Sequence, residues 1–328
     1  MKKILILALS VATLFSFASC QKSEVANGEA NVTIKVGMLG TKAISDGTTA
    51  TNLLYEVYYK NNGELTQILK SSKTLDNLTT TLDFTLMRGS TYVVLFWAQS
   101  PMAPYNTDTL QGILMNYTAS PNGNNEDRDA FFGSTEFTVS DDDAANESLT
   151  CTLTRPFAQL NFVANDYDDK LTVDGHEVAT MTLTKTEITI QNLAMAFNVL
   201  TGKAAKTATD PGTYPVTFTA NSGVDYDKDK NMDYFNGNNA LRWVSMNYIL
   251  IPDKQTSISL EAKFTVDLAY TGITDPITNQ PITVYANTSV PVAPNYRTNV
   301  TGELFTEDGE VKININPEYL KDEDVDVN

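Results

Sequence analysis

Few side chains in this sequence are of the types that catalyse reactions or bind metals, and none falls in a pattern typical of an active site. The chain has one histidine, His176, which follows the turn-forming pair Asp174-Gly175. A zinc site of the H-E-x-x-H type needs two histidines, and the sequence has neither a G-x-S-x-G nucleophile turn nor a glycine-rich phosphate-binding loop. Glycoside hydrolysis uses a pair of carboxylates whose separation depends on the fold. In a chain with 40 acidic residues, the presence of such pairs in the sequence is no evidence of that activity. We therefore predict no enzymatic activity and no cofactor.

The nearest approach to a metal site is a run of alternating carboxylates, Asp225, Asp227 and Asp229, which matches the start of a calcium-binding loop. A hard cation needs several oxygen ligands that converge from one turn. The match ends there, because Lys230 stands where such loops carry glycine and Asn236 stands where they carry a bidentate glutamate. We predict no bound metal and keep the three aspartates as the candidate calcium ligands.

The beginning of the chain is typical of an export signal. Two lysines precede an apolar stretch over residues 4–17, which is short for a membrane span. The Ala18-Ser19-Cys20 that follows resembles the end of the lipobox of bacterial lipoproteins, which implies that Cys20 is acylated and becomes the mature N-terminus. An ordinary signal peptide with an incidental cysteine is the alternative. We predict a lipoprotein signal over residues 1–20, a polar tether over residues 21–30, and an outer-membrane, cell-surface location.

The chain is acidic and poor in cysteine. It has 23 Lys and Arg against 40 Asp and Glu, for a formal charge of −17, and such a surface repels the phosphate backbone of nucleic acids. Cys151 is the only cysteine besides Cys20, so a lipidated Cys20 leaves no intramolecular disulfide. Because Cys151 alternates with Leu149 and Leu153, we predict a buried, inert thiol on one face of a strand.

Period-two alternation dominates the chain after the tether. In the first such run Val32, Ile34, Val36 and Met38 point one way, while polar residues point the other. Asn, Gly, Asp and Pro separate further runs rich in Thr, Val, Ile and Tyr, at residues 54–59, 82–86, 92–98, 160–163, 187–190, 214–218, 248–251, 258–264 and 311–315. Many short strands of this kind predict an all-β fold built from β-sandwiches rather than a parallel sheet.

The length of 328 residues suits two domains of this kind. An acidic loop, a short strand and Arg155-Pro156 mark a seam near residues 140–156. We predict an N-terminal β-sandwich over residues 31–154 and a C-terminal β-sandwich over residues 155–328. Residues 101–117 and 192–200 are the stretches that could hold a turn or two of helix.

Several segments resemble the fimbrillin-type surface lipoproteins, the type V pilin superfamily, of Gram-negative anaerobes. They are the lipobox through Cys20 and the segments at residues 41–48, 54–58, 155–161, 245–250 and 296–300. The resemblance implies two tandem transthyretin-like Greek-key β-sandwich domains. It also implies assembly by donor-strand exchange, in which a surface protease removes the lipid and the first β-strand, and a strand from the next subunit fills the groove.

Mapped onto this chain, the resemblance implies that the released strand carries Val32, Ile34, Val36 and Met38, and that the cut falls between Lys42 and Ala43. The candidate donor is the C-terminal segment with Val311, Ile313 and Ile315. An ordinary terminal strand of the second domain is the alternative reading of that segment. Lys42 stands where the family usually carries arginine, and a protease pocket built for guanidinium does not hold an ammonium equally well. Either a lysine-tolerant protease cuts here, or the chain stays uncut as a membrane anchor.

Two classes of function are therefore open. The first is a structural, adhesive fimbrial (pilus) subunit or its lipid-tethered anchor. Its partners would be other pilin subunits, the outer membrane, a surface protease, and a receptor whose chemistry the sequence does not specify. The alternative is a surface glycan-binding lipoprotein, which would need exposed aromatic side chains. Trp97 and Trp243 both lie in or beside apolar runs, so we predict that they pack in the core.

Overall fold

The computed structural model of the protein describes residues 28–38, 47–142, 147–167, 172–173, 176–204, 213–221, 241–251, 256–274, 276–284, 290–305 and 311–316. Strands dominate these ranges, and the only helix within them is a 3₁₀ turn at Glu126–Arg128. Asn125 caps that turn, because its side-chain oxygen accepts a hydrogen bond from the backbone N–H of Asp127. The predicted all-β fold is confirmed.

The first half of the chain forms two sheets around one apolar core. The strands are β1 (Glu29–Met38), β2 (Asn52–Asn61), β3 (Glu64–Thr74), β4 (Thr79–Met87), β5 (Thr91–Gln99), β6 (Ile113–Leu114), β7 (Ala130–Thr138) and β8 (Glu147–Leu153). One sheet has the order β4-β1-β8, and the other has the order β3-β2-β5-β7. We call the seven strands of these two sheets the first unit; β6 belongs to neither sheet.

The second half continues with β9 (Phe157–Ala164), β10 (Thr172–Val173), β11 (His176–Ala194), β12 (Ala196–Asn198), β13 (Lys203–Ala204), β14 (Thr213–Ala220), β15 (Arg242–Leu250), β16 (Thr256–Ile258), β17 (Leu260–Tyr270), β18 (Ile277–Val284), β19 (Val290–Val292), β20 (Arg297–Gly302) and β21 (Val311–Asn316). One sheet has the order β15-β9-β20-β21, and the other has the order β10-β11-β17-β18 with β14 beside β11. We call the strands of these two sheets the second unit.

The two units repeat one pairing scheme. In the first unit, β1 pairs antiparallel with β4 and parallel with β8. In the second unit, β9 pairs antiparallel with β15 and parallel with β20. The opposite sheets match as well, because β3-β2-β5-β7 has its counterpart in β14-β11-β17-β18. Strand β21 lies outside this repeat, since none of the described strands of the first unit corresponds to it.

A shared apolar core joins the two units. Trp97 on β5 is fully buried, and its ring centroid lies 5.7 Å from that of Tyr105, 6.2 Å from Phe157 and 5.9 Å from Phe197. These residues come from both halves of the chain and belong to one continuous cluster of buried side chains. β6 pairs with β12 across the same joint, and the backbone N–H of Asn124 donates to the carbonyl of Met246 at 2.8 Å. The joint explains why β5 and β9 are buried on both faces.

The two stretches that could have held helical turns form none. Residues 101–117 contain β6 and bury Tyr105, Leu110 and Tyr117, while residues 192–200 contain the end of β11 and all of β12. Their apolar side chains fill the joint from irregular backbone and short strands, so tertiary packing decides their conformation rather than local propensity.

Cys151 is buried on β8, as its alternation with two leucines predicts. Burial raises the pKa of its thiol from 9.0 to about 11. The reactive thiolate is therefore scarce at pH 8, and we expect iodoacetamide to spare Cys151 in the native protein and to alkylate it in guanidinium. The folded state keeps a proton that the unfolded chain releases, so the stabilisation from this thiol is complete below pH 9 and is lost as the pH rises towards 11.

The measurement is the mass of the peptide that contains Cys151 after timed alkylation at pH 8. Comparison of native and denatured samples of the same protein supplies the control. Rapid alkylation of the native sample would contradict the burial of this thiol.

Candidate functional site

The first strand is an inner strand of its sheet, bonded along both edges. It pairs with β4 from Glu29 opposite Met87 to Gly37 opposite Thr79. On its other side β1 pairs with β8, and the last of these pairs is Met38 with Leu153. Removal of β1 would therefore leave two rows of backbone N–H and C=O groups without their partners in the sheet.

The inward face of β1 fills the core of the first unit. Ala30, Val32, Ile34 and Val36 are at most 1% exposed, and Met38 is 8% exposed. They pack in one cluster with buried side chains of β4, β5 and β8, among them Leu82, Phe84, Val94, Phe96, Cys151 and Leu153. Each large apolar side chain buried in this way contributes roughly 1.5–3 kcal/mol to stability. Without β1 the sheet would contain an apolar trench in place of that strand.

The outward face of β1 lies between rows of polar side chains. The Thr33 hydroxyl donates to Oδ1 of Asp83 on β4 at 2.8 Å, and Ser148 lies opposite Thr33 on β8. Threonines flank the following outward positions, namely Thr81 and Thr79 on β4 and Thr150 and Thr152 on β8. This face of the groove therefore offers hydroxyl groups together with the carboxylate of Asp83.

The segment with the predicted cut, Lys42 and Ala43, lies outside the described residues, and the chain is described again from Gly47. Gly47 has φ +77°, and a Cβ there would lie 2.7 Å from Cζ of Phe131. Only glycine fits this turn without displacing that ring. Thr49 donates its hydroxyl to the carbonyl of Glu126 at 3.3 Å. The chain beyond the predicted cut is therefore anchored against the start of β7.

A buried ion pair supports that anchor. Nε of Arg155 lies 2.7 Å from Oδ1 of Asp129, Nη2 lies 2.8 Å from Oδ2, and both side chains are fully buried. The guanidinium also lies 4.4 Å from the ring centroid of Phe131, a cation–π distance. The pair links the start of β7 to the connection between β8 and β9. Arg155 lies in a segment that carries the resemblance, whereas Asp129 belongs to no pattern that the sequence shows.

Three of the segments that carry the resemblance meet on neighbouring strands of the second unit. Gln159 on β9 pairs with Tyr248 on β15 and with Arg297 on β20. Nε2 of Gln159 donates to the Tyr248 hydroxyl at 3.2 Å, and that hydroxyl donates to Oε2 of Glu126 at 3.0 Å. One row further along, Asn161 donates to Oδ1 of Asn299 at 2.9 Å. Gln159, Tyr248, Asn161 and Asn299 are buried, so these hydrogen bonds satisfy polar groups inside the second unit.

The candidate donor strand, β21, pairs antiparallel with β20 from Arg297 opposite Asn316 to Gly302 opposite Val311. It therefore holds Val311, Ile313 and Ile315 in the second unit of its own chain. β21 lies at the end of its sheet and has no counterpart in the first unit. The pairing scheme that both units share is therefore complete without β21.

The remaining predicted residues divide between buried and undescribed positions. Trp97 and Trp243 are buried, at 0% and 4% exposure, which confirms the prediction that they pack in the core. Cys20 and the calcium candidates Asp225, Asp227 and Asp229 lie outside the described residues. Within the described ranges, no group of three or more His, Cys, Asp or Glu side chains is placed to bind a metal ion. The described ranges also contain no helix that is long and apolar enough to cross a membrane.

Comparison with solved structures finds proteins of Bacteroides and Parabacteroides species. Proposed polysaccharide-binding proteins (DUF1812) of Bacteroides thetaiotaomicron match with a TM-score of 0.50 and 12% identity, over 88% of this chain and 96% of theirs. A proposed cell adhesion protein from Bacteroides eggerthii matches with a TM-score of 0.46 and 14% identity, over 90% and 98%. A fimbrial assembly protein from Parabacteroides distasonis matches with a TM-score of 0.38 and 16% identity, over 88% and 96%.

The likeness to the Bacteroides thetaiotaomicron structure shows a shared fold. The other two neighbours are named for cell adhesion and for fimbrial assembly. No curated protein matches the sequence. A family model described as a family of unknown function, DUF6562, matches residues 22–328. The chain belongs to the DUF6562 family.

Proposed function

We propose that this chain is a structural, adhesive subunit of a cell-surface fimbria, or the lipid-tethered anchor of one, and that it assembles by exchange of its first strand. The observation that carries the proposal is the position of β1. This strand is bonded along both edges, its five inward side chains are buried, and Lys42 follows only four residues beyond Met38.

The physics of assembly is β-augmentation. A groove without β1 exposes backbone donors and acceptors on β4 and β8 together with an apolar trench, and an alternating strand from another copy satisfies both. Each large apolar side chain buried in the trench would contribute roughly 1.5–3 kcal/mol to the stability of the contact between two subunits. Such a contact would last far longer than an ordinary surface contact.

The repeat of the two units supports β1 as the strand that leaves. Its counterpart β9 holds the same inner position, but Thr154-Arg155-Pro156 join it to β8. A single cut after Lys42 would free β1, whereas a single cut beside β9 would leave β9 joined to the chain on its other side. We propose that the units are two tandem transthyretin-like domains, with the boundary between residues 154 and 155.

The proposed location at the outer membrane and cell surface rests on the N-terminal segment. Acylation of Cys20 would tether the precursor to the outer membrane, where a surface protease could reach Lys42. The names of the structural neighbours support a surface role for this chain. Because Lys42 replaces the arginine usual in fimbrillins, the protease would have to accept lysine.

The N-terminus of the protein recovered from the cell surface tests this proposal. Mass spectrometry should find a chain that begins at Ala43 and carries no lipid. A Lys42→Gln variant should begin at acylated Cys20 and form no multimers. The matched control is Lys35→Gln, which changes the preceding lysine on the exposed face of β1 and should leave processing intact.

Recovery of the unsubstituted protein only as a chain that begins at acylated Cys20 would contradict strand release. The chain would then be a tethered anchor or the second candidate, a glycan-binding lipoprotein. The name of the Bacteroides thetaiotaomicron neighbours, proposed polysaccharide-binding proteins, favours that second candidate. The burial of both tryptophans counts against a sugar-binding platform made from either of them.

A further inference from the structure

We infer that the open edge of β3 is an interaction surface for a second copy of this chain, and that the β3 strands of two copies pair antiparallel about a two-fold axis. In this pairing Thr66 of one copy lies opposite Ser71 of the other. The inference goes beyond the proposed function, because every copy keeps β3 whether or not its first strand is exchanged.

β3 presents an open strand edge. It lies at the end of the order β3-β2-β5-β7, and β2 is its one neighbour among the described strands. Nine of its eleven residues, Glu64–Thr74, are exposed, and the other two are half-buried. The strand contains no proline, so each of its residues has a backbone N–H. Unpaired backbone groups along such an edge are a template for a strand from another chain.

The two lysines of β3 leave this edge accessible. Lysine on an edge strand is a common device against pairing with another chain. Here Nζ of Lys70 donates to the carbonyl of Thr107 at 3.0 Å, and Nζ of Lys73 donates to the carbonyl of Thr81 at 2.6 Å. Both ammonium groups are therefore held by other segments of their own chain and do not extend across the edge.

The backbone groups of β3 alternate between β2 and the open edge. Asn62 and Gly63, with φ +50° and +87°, form a two-residue turn of type I′ between β2 and β3. The N–H of Glu64 faces β2 to close this turn. Bonded residues alternate along an antiparallel pair, so the backbone groups of Leu65 and Gln67 face away from β2.

This alternation moves by one residue in the middle of β3. The register against β2 shifts at Ile68, which is the extra residue of a β-bulge. Beyond the bulge, Lys70 and Ser72 therefore carry the outward backbone groups. A second β3 in the opposite direction has the same offset, so the outward residues before the bulge of one copy can meet those after the bulge of the other.

One register matches all of these outward residues. It places Leu65 opposite Ser72 of the second copy and Gln67 opposite Lys70, so each outward residue between 65 and 72 meets another outward residue. A shift of two residues in either direction places an outward residue in the middle of β3 opposite a residue of the bulge, whose N–H faces β2. A buried backbone group would then lack its partner.

The charges on β3 favour the same register. Glu64 falls opposite Lys73 of the second copy, and the two-fold axis repeats this pair at the other end. Opposite charges at directly paired positions stabilise a sheet. The chain has a formal charge of −17, whereas β3 carries two lysines and one acid. Two acidic copies can therefore approach each other along this edge with less repulsion than elsewhere.

A contact between two single strands is small, and small interfaces are weak in dilute solution. Copies held on one cell surface or in one fimbria have a high effective concentration, which compensates for weak pairwise binding. We therefore expect the β3 contact to join neighbouring copies side by side on the cell.

Disulfide trapping on intact cells tests the register. Two full-length variants, Thr66→Cys and Ser71→Cys, are produced together in the bacterium that makes the protein. The two positions form a pair without mutual hydrogen bonds, with Cα atoms about 4.5 Å apart, within the range of a disulfide. Mild oxidation should link the two variants, and mass spectrometry should identify the linked peptides. The unsubstituted chain, which carries Cys20 and Cys151, gives the background.

Two further pairs of variants report the shifted registers. Thr66→Cys with Lys73→Cys tests a shift in one direction, and Glu64→Cys with Ser71→Cys tests the other. Both pairs should give little link above the background. Efficient linking of either shifted pair, with none between positions 66 and 71, would overturn the register.

Reversal of one charge supplies an independent measurement. Glu64→Lys, introduced into both cysteine variants, should lower the linked fraction roughly fivefold, because it places two lysines opposite each other at both ends of the contact. Addition of Lys73→Glu should restore the link. Glu261→Lys makes the same change of charge at an exposed position on β17 and should change the linked fraction less than about twofold. Equal effects of Glu64→Lys and Glu261→Lys would overturn the charge pairing.

The Lys42→Gln background separates this inference from strand exchange. That variant keeps β1, and its copies should still link through positions 66 and 71. A chain that is never cut after Lys42 but still links would contradict strand exchange and support the β3 contact. Absence of a link in both backgrounds would overturn the β3 contact, whatever the N-terminus of the protein proves to be.

Discussion

Replacement of Trp97 by alanine is expected to lower the free energy of unfolding by about 3–5 kcal/mol. The side chain is fully buried, touches three aromatic rings from both halves of the chain, and donates its Nε1–H to Oε1 of Gln99 at 2.7 Å. Alanine would leave a cavity at the joint and remove the partner of that amide. Because the apolar cluster is continuous across the joint, the loss should destabilise both units together.

Trp243 makes this prediction measurable. In the Trp97→Ala variant it is the remaining tryptophan and lies on β15 of the second unit. Unfolding in urea is followed by Trp243 fluorescence and by circular dichroism, and the two transitions should coincide at a lower midpoint. Ile68→Ala, on the exposed strand β3 at 50% exposure, should change stability by less than about 0.5 kcal/mol. A Trp243 transition that keeps its original midpoint would show that the units unfold separately.

The sequence predicts best those strands that have one buried face. β1 and β17 alternate strictly between buried and less buried positions, and this alternation is visible in the sequence as a period of two. β3 was not predicted, because it lies at the end of its sheet and its positions are exposed or half-buried. A strand without a buried face carries no apolar period, so its presence depends on its neighbour β2.

The sequence predicts some features of the candidate site and not others. The inward residues of β1 follow from periodicity, but its inner position between β4 and β8 does not, because pairing partners are set by the fold. Asp83 stands in an alternating run that was predicted as a strand, yet its place opposite Thr33 depends on the register. Asp129 and Arg155 are separated by 26 residues, and no local pattern joins such a pair.

The Asp129→Ala variant is expected to lower the free energy of unfolding by about 3–5 kcal/mol. Removal of the carboxylate leaves the Arg155 guanidinium buried without the ion pair that offsets its desolvation. The connection between β8 and β9 and the turn at Gly47 both pack near this guanidinium, so the start of the second unit and the chain beyond Lys42 should loosen together. The midpoint of urea unfolding measures the loss of stability.

An exposed ion pair of the same length provides the matched control. Nζ of Lys60 lies 2.7 Å from Oε1 of Glu136, but these side chains are 33% and 51% exposed. Glu136→Ala should therefore lower stability by no more than about 1 kcal/mol, because water replaces the lost partner. The double variant Asp129→Leu with Arg155→Met should be more stable than Asp129→Ala, since it removes the buried cation. Equal losses for Asp129→Ala and Glu136→Ala would mean that burial does not govern the Asp129–Arg155 pair, and that the joint is held by its apolar contacts alone.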